Sequence, residues 1–407
     1  MDEFINLNSL RTKMKVLIIG QLPKEAGGNY TTGAARVVFE LSKQKAPGVE
    51  LFTYATNAPA AAVKSHCGYP NQYIGYKLSI WPIIKKLITT PAKSFREWNH
   101  YKKADHENPL RYEFYRENIR KAIETVKPDL IHVNSIGNVS VTRFAIGDKK
   151  IPLLLTCHGI FYRGESNDTI GRDRYMGNLP LCDYYTGLTE ESRQEFTDIL
   201  GISPEKYAII PNGVDSSKFY FSEEWRGKIR DEMNVNNDTI VFITVASLQE
   251  RKGQFTFIKL LEQLDINYQY WLVGTGPDEV LIKQYVLEHH LQDKVKLLGY
   301  HDSDDLYRYY SAADVYAHPS WKEGQALSEI EAYATGLRTI VNKSIAGTLV
   351  ESANNHEQYC VFDFDEVKLD VIKEWLFNGV GKRTSRGNYD WKYILGRYVE
   401  IYKSMAK

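Results

Sequence analysis

The residues best placed for chemistry lie between Pro319 and Val341. Glu323 and Gly324 sit in a short turn. Gln325, Ala326, Leu327 and Ser328 open a helical pattern that contains Glu331 and stops at Gly336. A strand is expected to end near Pro319 and another to begin at Thr339, with the helix running from Ala326–Ser328 to its glycine stop. The first turn of a helix leaves amide N–H groups unpaired, and its dipole adds partial positive charge. Gly324 and Ala326 lack bulk, so a phosphate can approach the backbone there. Glu331 lies just over a turn inside, where a carboxylate can accept bonds from a ribose diol. Glu323 stands at the mouth, beside whatever the phosphate carries. The bland alternative is an ordinary strand-turn-helix with acids near its start.

A second candidate follows the apolar run Thr239–Ser247. Arg251 and Lys252 can bring two cations to a diphosphate, the guanidinium in a bidentate way. A third is His158, after the run Ile151–Cys157 and before Gly159. An imidazole at a strand end can bond a sugar hydroxyl or the reacting centre, or can be purely structural.

These groups need a scaffold. At 407 residues the chain is long enough for two domains. It is 43% hydrophobic and 25% charged with formal net charge zero, the profile of a globular protein and no argument for nucleic acid. Cys67, Cys157, Cys182 and Cys360 have neither metal nor redox spacing, which points to a reducing cytoplasm. The start of the chain lacks a signal-peptide pattern, and no apolar run reaches membrane-spanning length.

Met14–Gly20, Val49–Tyr54, Pro128–Ser135, Ile151–Gly159, Tyr184–Leu188 and Ala208–Pro211 read as short strands of a parallel sheet. The first leads into a loop with Gly27, Gly28 and Gly33, then a helix over Ala34–Lys43. That loop is not G-x-G-x-x-G, so the dinucleotide fingerprint is absent. The second half repeats the plan with Thr239–Ser247, Tyr270–Val273, Val295–Leu298, Asp314–His318 and Gln358–Phe362. Gly299 and Tyr300 close its third strand. Asp302, Ser303, Asp304 and Asp305 read as capping for a helix over Leu306–Ala312. The segment 77–103 differs from both halves. Lysines and arginines alternate with Trp81, Ile84, Ile88, Phe95 and Trp98, and Glu97 is its only acid. It suits either an anionic lipid interface or a helical pair covering the sheet.

Two glutamates spaced as Glu323 and Glu331 are, before a small-residue helix ending in glycine, resemble the nucleotide-sugar signature of retaining GT-B glycosyltransferases, family 4 in particular. The turn Asn212-Gly213-Val214-Asp215 resembles that family's hinge. The resemblance departs at Gln325 and Ala326, where Phe and Gly are usual. It departs again at Ala246 and Ser247, where Gly and Arg are usual, so Arg251 stands as the substitute cation. Asn134 occupies a position where the family often has a second histidine.

The resemblance implies an α/β GT-B fold of two doubly wound Rossmann-like domains facing across a cleft. We place an acceptor-binding domain at 1–217, a nucleotide-sugar domain at 218–388, and a C-terminal helix at 389–407 crossing back to the first. It implies metal-independent, retaining hexosyl transfer with Glu323, His158, Lys252 and Arg251 as catalytic residues. Gly28, Gly33, Gly299, Tyr300, Gly324, Gln325, Ala326, Leu327 and Glu331 would bind substrates. The donor is a nucleotide diphosphate sugar and no cofactor is expected. The acceptor is a glycan or lipid-linked sugar of a bacterial surface polysaccharide or glycolipid pathway. The expected location is the cytoplasm, with peripheral contact at the inner face of the membrane through 77–103. The competing readings are a non-catalytic sugar-nucleotide or lipid-binding homologue and a dinucleotide-dependent oxidoreductase.

Overall fold

The computed structural model describes residues 13–29, 32–60, 62–63, 72–77, 81–159, 169–349, 354–379, 382–383 and 387–406. Cys67 and most of the first 13 residues lie outside them.

The chain divides into two compact units. One comprises Met1–Leu188, Ser192–Ile210 and Trp391–Lys407, the other Thr189–Glu191 and Pro211–Asp390. The first is built on a parallel sheet of β1 (Met14–Gly20), β2 (Val49–Pro59), β3 (Gln72–Tyr76), β4 (Leu130–Asn134), β5 (Leu153–Thr156), β6 (Tyr184–Gly187) and β7 (Tyr207–Ile209). Their spatial order is β3-β2-β1-β4-β5-β6-β7. The winding reverses between β1 and β4, and such switch points are where doubly wound sheets bind ligands. Continuous apolar runs mark these strands because both faces are covered by helices. Val16, Leu17, Ile18 and Ile19 are all fully buried.

The helix Trp391–Met405 belongs to this unit and docks through polar groups as well as apolar ones. His132, inside β4 and fully buried, bonds Tyr402 Oη through Nδ1 at 2.8 Å and Thr156 Oγ1 through Nε2 at 2.7 Å. Thr156 continues the network to Thr186 and to Tyr398. A buried polar group without such partners costs about 1–3 kcal/mol, so the network fixes where the helix sits.

The basic segment forms two helices, Trp81–Thr89 and Pro91–His100. Its single acid turns inward. Glu97 is buried and pairs with Lys86, which also bonds Glu113 at 2.9 Å; Arg116 bonds Glu113 at 2.5 Å. This ion cluster pins the pair to the helix Pro109–Val126.

The second unit holds β8 (Ile240–Val245), β9 (Tyr268–Val273), β10 (Val295–Gly299), β11 (Val315–His318), β12 (Arg338–Asn342) and β13 (Tyr359–Phe362). All neighbours are parallel, in the order β10-β9-β8-β11-β12-β13. The winding reverses between β8 and β11. The acids at 302–305 do not cap as expected: Asp305 occupies the N-cap without a side-chain cap bond. Cations take them instead, with Lys218 on Asp304 and Arg308 on Asp305 at 3.1 Å.

Candidate functional site

Two loops meet at the switch point of the second sheet. The loop after β8 makes a 3-10 turn at Glu250–Lys252, and Gly253 then starts the helix Gln254–Gln263. Gly253 has φ of 70°, and a Cβ there would lie 2.1 Å from the carbonyl oxygen of Pro319. Only glycine lets the loop after β11 come this close. Trp321 N donates to Arg251 O at 2.9 Å, closing the two loops together.

This contact gathers three charges. Lys252 Nζ bonds Glu323 Oε1, Arg251 Nη1 lies 3.4 Å from Glu323 Oε2, and Arg251 Nη1 donates to Lys322 O at 2.6 Å. Burial pushes the Glu323 carboxyl up, but Lys252, His318 and Arg251 together hold it below the ordinary carboxylate value. Burial also dominates at Lys252. It depresses the ammonium pKa further than Glu323 restores it, and Arg251 adds to the depression. The cluster carries two cations and one anion, so it retains positive charge for a further anion.

Beside it starts the helix Leu327–Ala334. Ala326 is its N-cap, in extended conformation, with no side-chain cap bond. The helix starts at Leu327, inside the expected Ala326–Ser328, and β12 starts at Arg338, one residue before the expected Thr339. Glu331 Oε2 accepts from Tyr310 Oη at 3.1 Å, and Ser328 Oγ bonds Tyr316 Oη at 2.8 Å. Gln325 is buried and turned to Asn212: its Oε1 accepts from Asn212 N at 2.7 Å and its backbone carbonyl from Asn212 Nδ2 at 3.3 Å. Gly324 lies between Glu323 and this bond. Gly299 ends the edge strand β10, and Tyr300 beyond it is exposed, its hydroxyl bonding Asp302 Oδ1 at 3.1 Å.

The remaining candidates belong to the first unit. Gly28 follows β1; a Cβ there would lie 1.7 Å from Leu22 O. Asn57 holds the same loop, accepting from Leu22 N and donating to Leu22 O, each at 2.8 Å. Gly33 begins the helix Gly33–Lys43, capped by Thr32, whose side chain accepts from Ala35 N at 3.2 Å. His158 stands at the end of β5, its Nε2 2.9 Å from Asn134 Oδ1 at the end of β4.

His318, the last residue of β11, was not singled out by the sequence. It is 4% exposed, and among the described residues its Nδ1 has no hydrogen-bond partner. Burial pushes its pKa down to about 4, against a rise from Glu323 and with a further fall from Lys252. The strand-end position that marked His158 marks His318 equally.

Burial thus holds four histidines below the ordinary imidazole range: His100, His132 at about 3, and His158 and His318 at about 4. Between those values and about 6.5 the unfolded chain binds protons that the folded chain does not. Stability is therefore expected to be full above about pH 6.5 and to fall as the pH drops toward 4. Urea midpoints measured across that range check the sign; a midpoint that rises on acidification contradicts it.

Two family models match the chain. "Glycosyltransferase Family 4" spans residues 31–218 and "Glycosyl transferases group 1" spans 226–389. Among curated proteins, the alpha-monoglucosyldiacylglycerol synthase of Acholeplasma laidlawii is 22% identical over 272 residues, 60% of this chain and 65% of that protein. The UDP-Gal:alpha-D-GlcNAc-diphosphoundecaprenol alpha-1,3-galactosyltransferase of Escherichia coli is 25% identical over 54% of this chain and 59% of its own. The matches thus span less than two thirds of these relatives. Among solved structures, Anabaena Alr3699/HepE in complex with UDP superposes with a TM-score of 0.71 at 20% identity, covering 96% of this chain and 100% of that one. Sucrose-phosphate synthase of Thermosynechococcus elongatus gives 0.70 at 18% identity, covering 96% and 99%. That likeness shows the fold: two Rossmann-like units of the GT-B type.

Proposed function

The chain belongs to the GT-B glycosyltransferases of the family 4 type, and on that premise we propose that it moves a hexose, with retention of configuration, from a nucleotide diphosphate sugar to a glycan or lipid-linked acceptor. One observation carries the reading: Arg251, Lys252 and Glu323 converge beside the uncapped start of the helix Leu327–Ala334, at the switch point of the second sheet. Solved structures of HepE with UDP and with UDP-glucose support a nucleotide sugar as donor.

In the proposed reaction the bond from the anomeric carbon to the diphosphate oxygen breaks, and its electron pair stays on that oxygen. Arg251, Lys252 and the helix amides neutralise the developing charge, and preorganised positive charge of this kind stabilises a transition state without reorganisation. The acceptor oxygen bonds the anomeric carbon on the face the diphosphate leaves, and the acceptor proton passes to the departing phosphate oxygen. Glu323 orients the sugar and supports the cationic anomeric carbon. Glu331 offers its carboxylate to the ribose. No step is assigned to a metal.

Thermal-shift screening against UDP-, GDP- and ADP-sugars tests the donor, because a ligand bound only by the folded state raises the midpoint by mass action. NMR of the product's anomeric configuration tests retention; an inverted product refutes it. Ser247, in place of the family's arginine, bonds Gln249 Nε2 at 2.7 Å and keeps a non-catalytic homologue in view. Donor hydrolysis without acceptor separates the two, since a binding protein would shift its midpoint yet leave the donor intact.

The proposed acceptor lies at a membrane surface. No helix of the described residues is long and apolar enough to cross a bilayer. The helices Trp81–Thr89 and Pro91–His100 nevertheless expose Trp81 (72%), Ile88 (76%) and Phe95 (77%). Lys85, Lys93, Arg96, Lys102 and Lys103 are exposed with them, while Glu97 is withdrawn into its pair with Lys86. An outer surface of cations and large apolar groups suits an anionic interface. Flotation is expected to show binding to phosphatidylglycerol vesicles, weaker in high salt and in Trp81→Ala or Phe95→Ala. Equal binding to neutral and anionic vesicles, or none, contradicts it.

A further inference from the structure

Asn134 has no role in the chemistry above, yet its position is specific. It is the last residue of β4, 3% exposed, on one side of the switch point of the first sheet. His158 follows the adjacent strand β5, and Gly159 after it has φ of 137°, a region that favours glycine. The contact between His158 Nε2 and Asn134 Oδ1 is 2.9 Å. An amide oxygen carries no hydrogen, so the proton of this bond sits on Nε2. The other ring nitrogen, Nδ1, then presents a lone pair.

Two further atoms complete the arrangement. Among the described residues, neither His158 Nδ1 nor Asn134 Nδ2 has a hydrogen-bond partner, although both are buried. The nearby imidazole of His132 is engaged at both nitrogens, by Tyr402 and Thr156, and offers neither atom a bond. Burial holds the His158 ring neutral at ordinary pH, its pKa pushed down to about 4. A neutral ring with Nε2 occupied can only accept at Nδ1. It therefore takes a hydrogen bond from a hydroxyl and disfavours a phosphate or carboxylate oxygen at the same point.

We propose that Asn134 is a positioning residue that holds His158 as the Nε2–H tautomer, so that Nδ1 accepts a hydroxyl group of a sugar substrate. The sugar rests on the glycosyl-transfer reading. The tautomer does not, because it is a property of the ligand-free chain.

The test is long-range proton–nitrogen NMR on the full chain labelled at histidine nitrogens, at about pH 8, above the ordinary imidazole range. The His158 signals are identified by their loss in His158→Gln. The wild type is expected to show Nε2–H in about tenfold excess, the worth of one buried hydrogen bond. In Asn134→Leu that excess falls several-fold, and in Asn134→Asp, which keeps an acceptor oxygen, it returns. If Asn134→Leu does not fold, Asn134→Ala takes its place with the same expected fall. A wild-type ring protonated at Nδ1, or an unchanged ratio in folded Asn134→Leu, overturns the proposal. Neither outcome depends on sugar transfer, so a failure to find a donor leaves this result standing.

Discussion

Lys252→Ala is expected to lower sugar transfer by about 10²–10³-fold, the usual effect of removing one preorganised group that faces developing charge. Lys252 is 14% exposed at its side chain and bonds Glu323, itself 10% exposed. Its removal takes away one of two cations at the switch point. It also leaves the Glu323 carboxylate with Arg251 at 3.4 Å as its remaining cation in direct contact, so the net charge available to a diphosphate falls by one. Breaking a buried pair usually destabilises by about 3–5 kcal/mol. Here burial already outweighs the pairing at Lys252, so the loss is expected to be smaller, and the variant should fold. Turnover and urea midpoints on the same preparation separate the effects. Near-normal transfer removes Lys252 from the catalytic set.

Glu323→Gln is expected to split binding from chemistry. The amide keeps the shape and an oxygen for Lys252, but drops the charge that now competes for both cations. Nucleoside diphosphate binding should hold or tighten, while transfer falls by about 10²-fold because the anomeric carbon loses its anionic support. Calorimetric titration with UDP, GDP and ADP, beside turnover, checks the two signs. A weaker diphosphate affinity with unchanged turnover reverses the assignment and makes Glu323 a binding group only.

The scaffold was readable because its signals are local. Met14–Gly20 and Ile240–Val245 are apolar without alternation, the mark of strands covered on both faces, and they recur with helical segments between them. The glycine stop of the helix Leu327–Ala334 was equally plain. The polar partners were not, because they depend on contacts distant in sequence. Lys252 and Glu323 stand 71 residues apart and meet only because Gly253 admits Pro319. Gln325, read from the sequence as a substrate-binding residue, also bonds Asn212, 113 residues away. The acids at 302–305 looked like caps by position, but Lys218, 86 residues from Asp304, takes one of them. Glu97 is the only acid of the segment 77–103, and its burial in a pair with Lys86 is set by packing that the sequence does not display. His318 ends a strand, the same signal that marked His158, but its setting beside Glu323 and Lys252 arises only in three dimensions.

The most direct measurement is a crystal structure of the full chain soaked with UDP-glucose, with GDP- and ADP-sugars in parallel. A pyrophosphate is expected against Arg251, Lys252 and the amides of Leu327 and Ser328, with the sugar toward Glu323 and the ribose toward Glu331. A nucleotide sugar bound elsewhere, with Lys252 and Glu323 still paired and untouched, contradicts it.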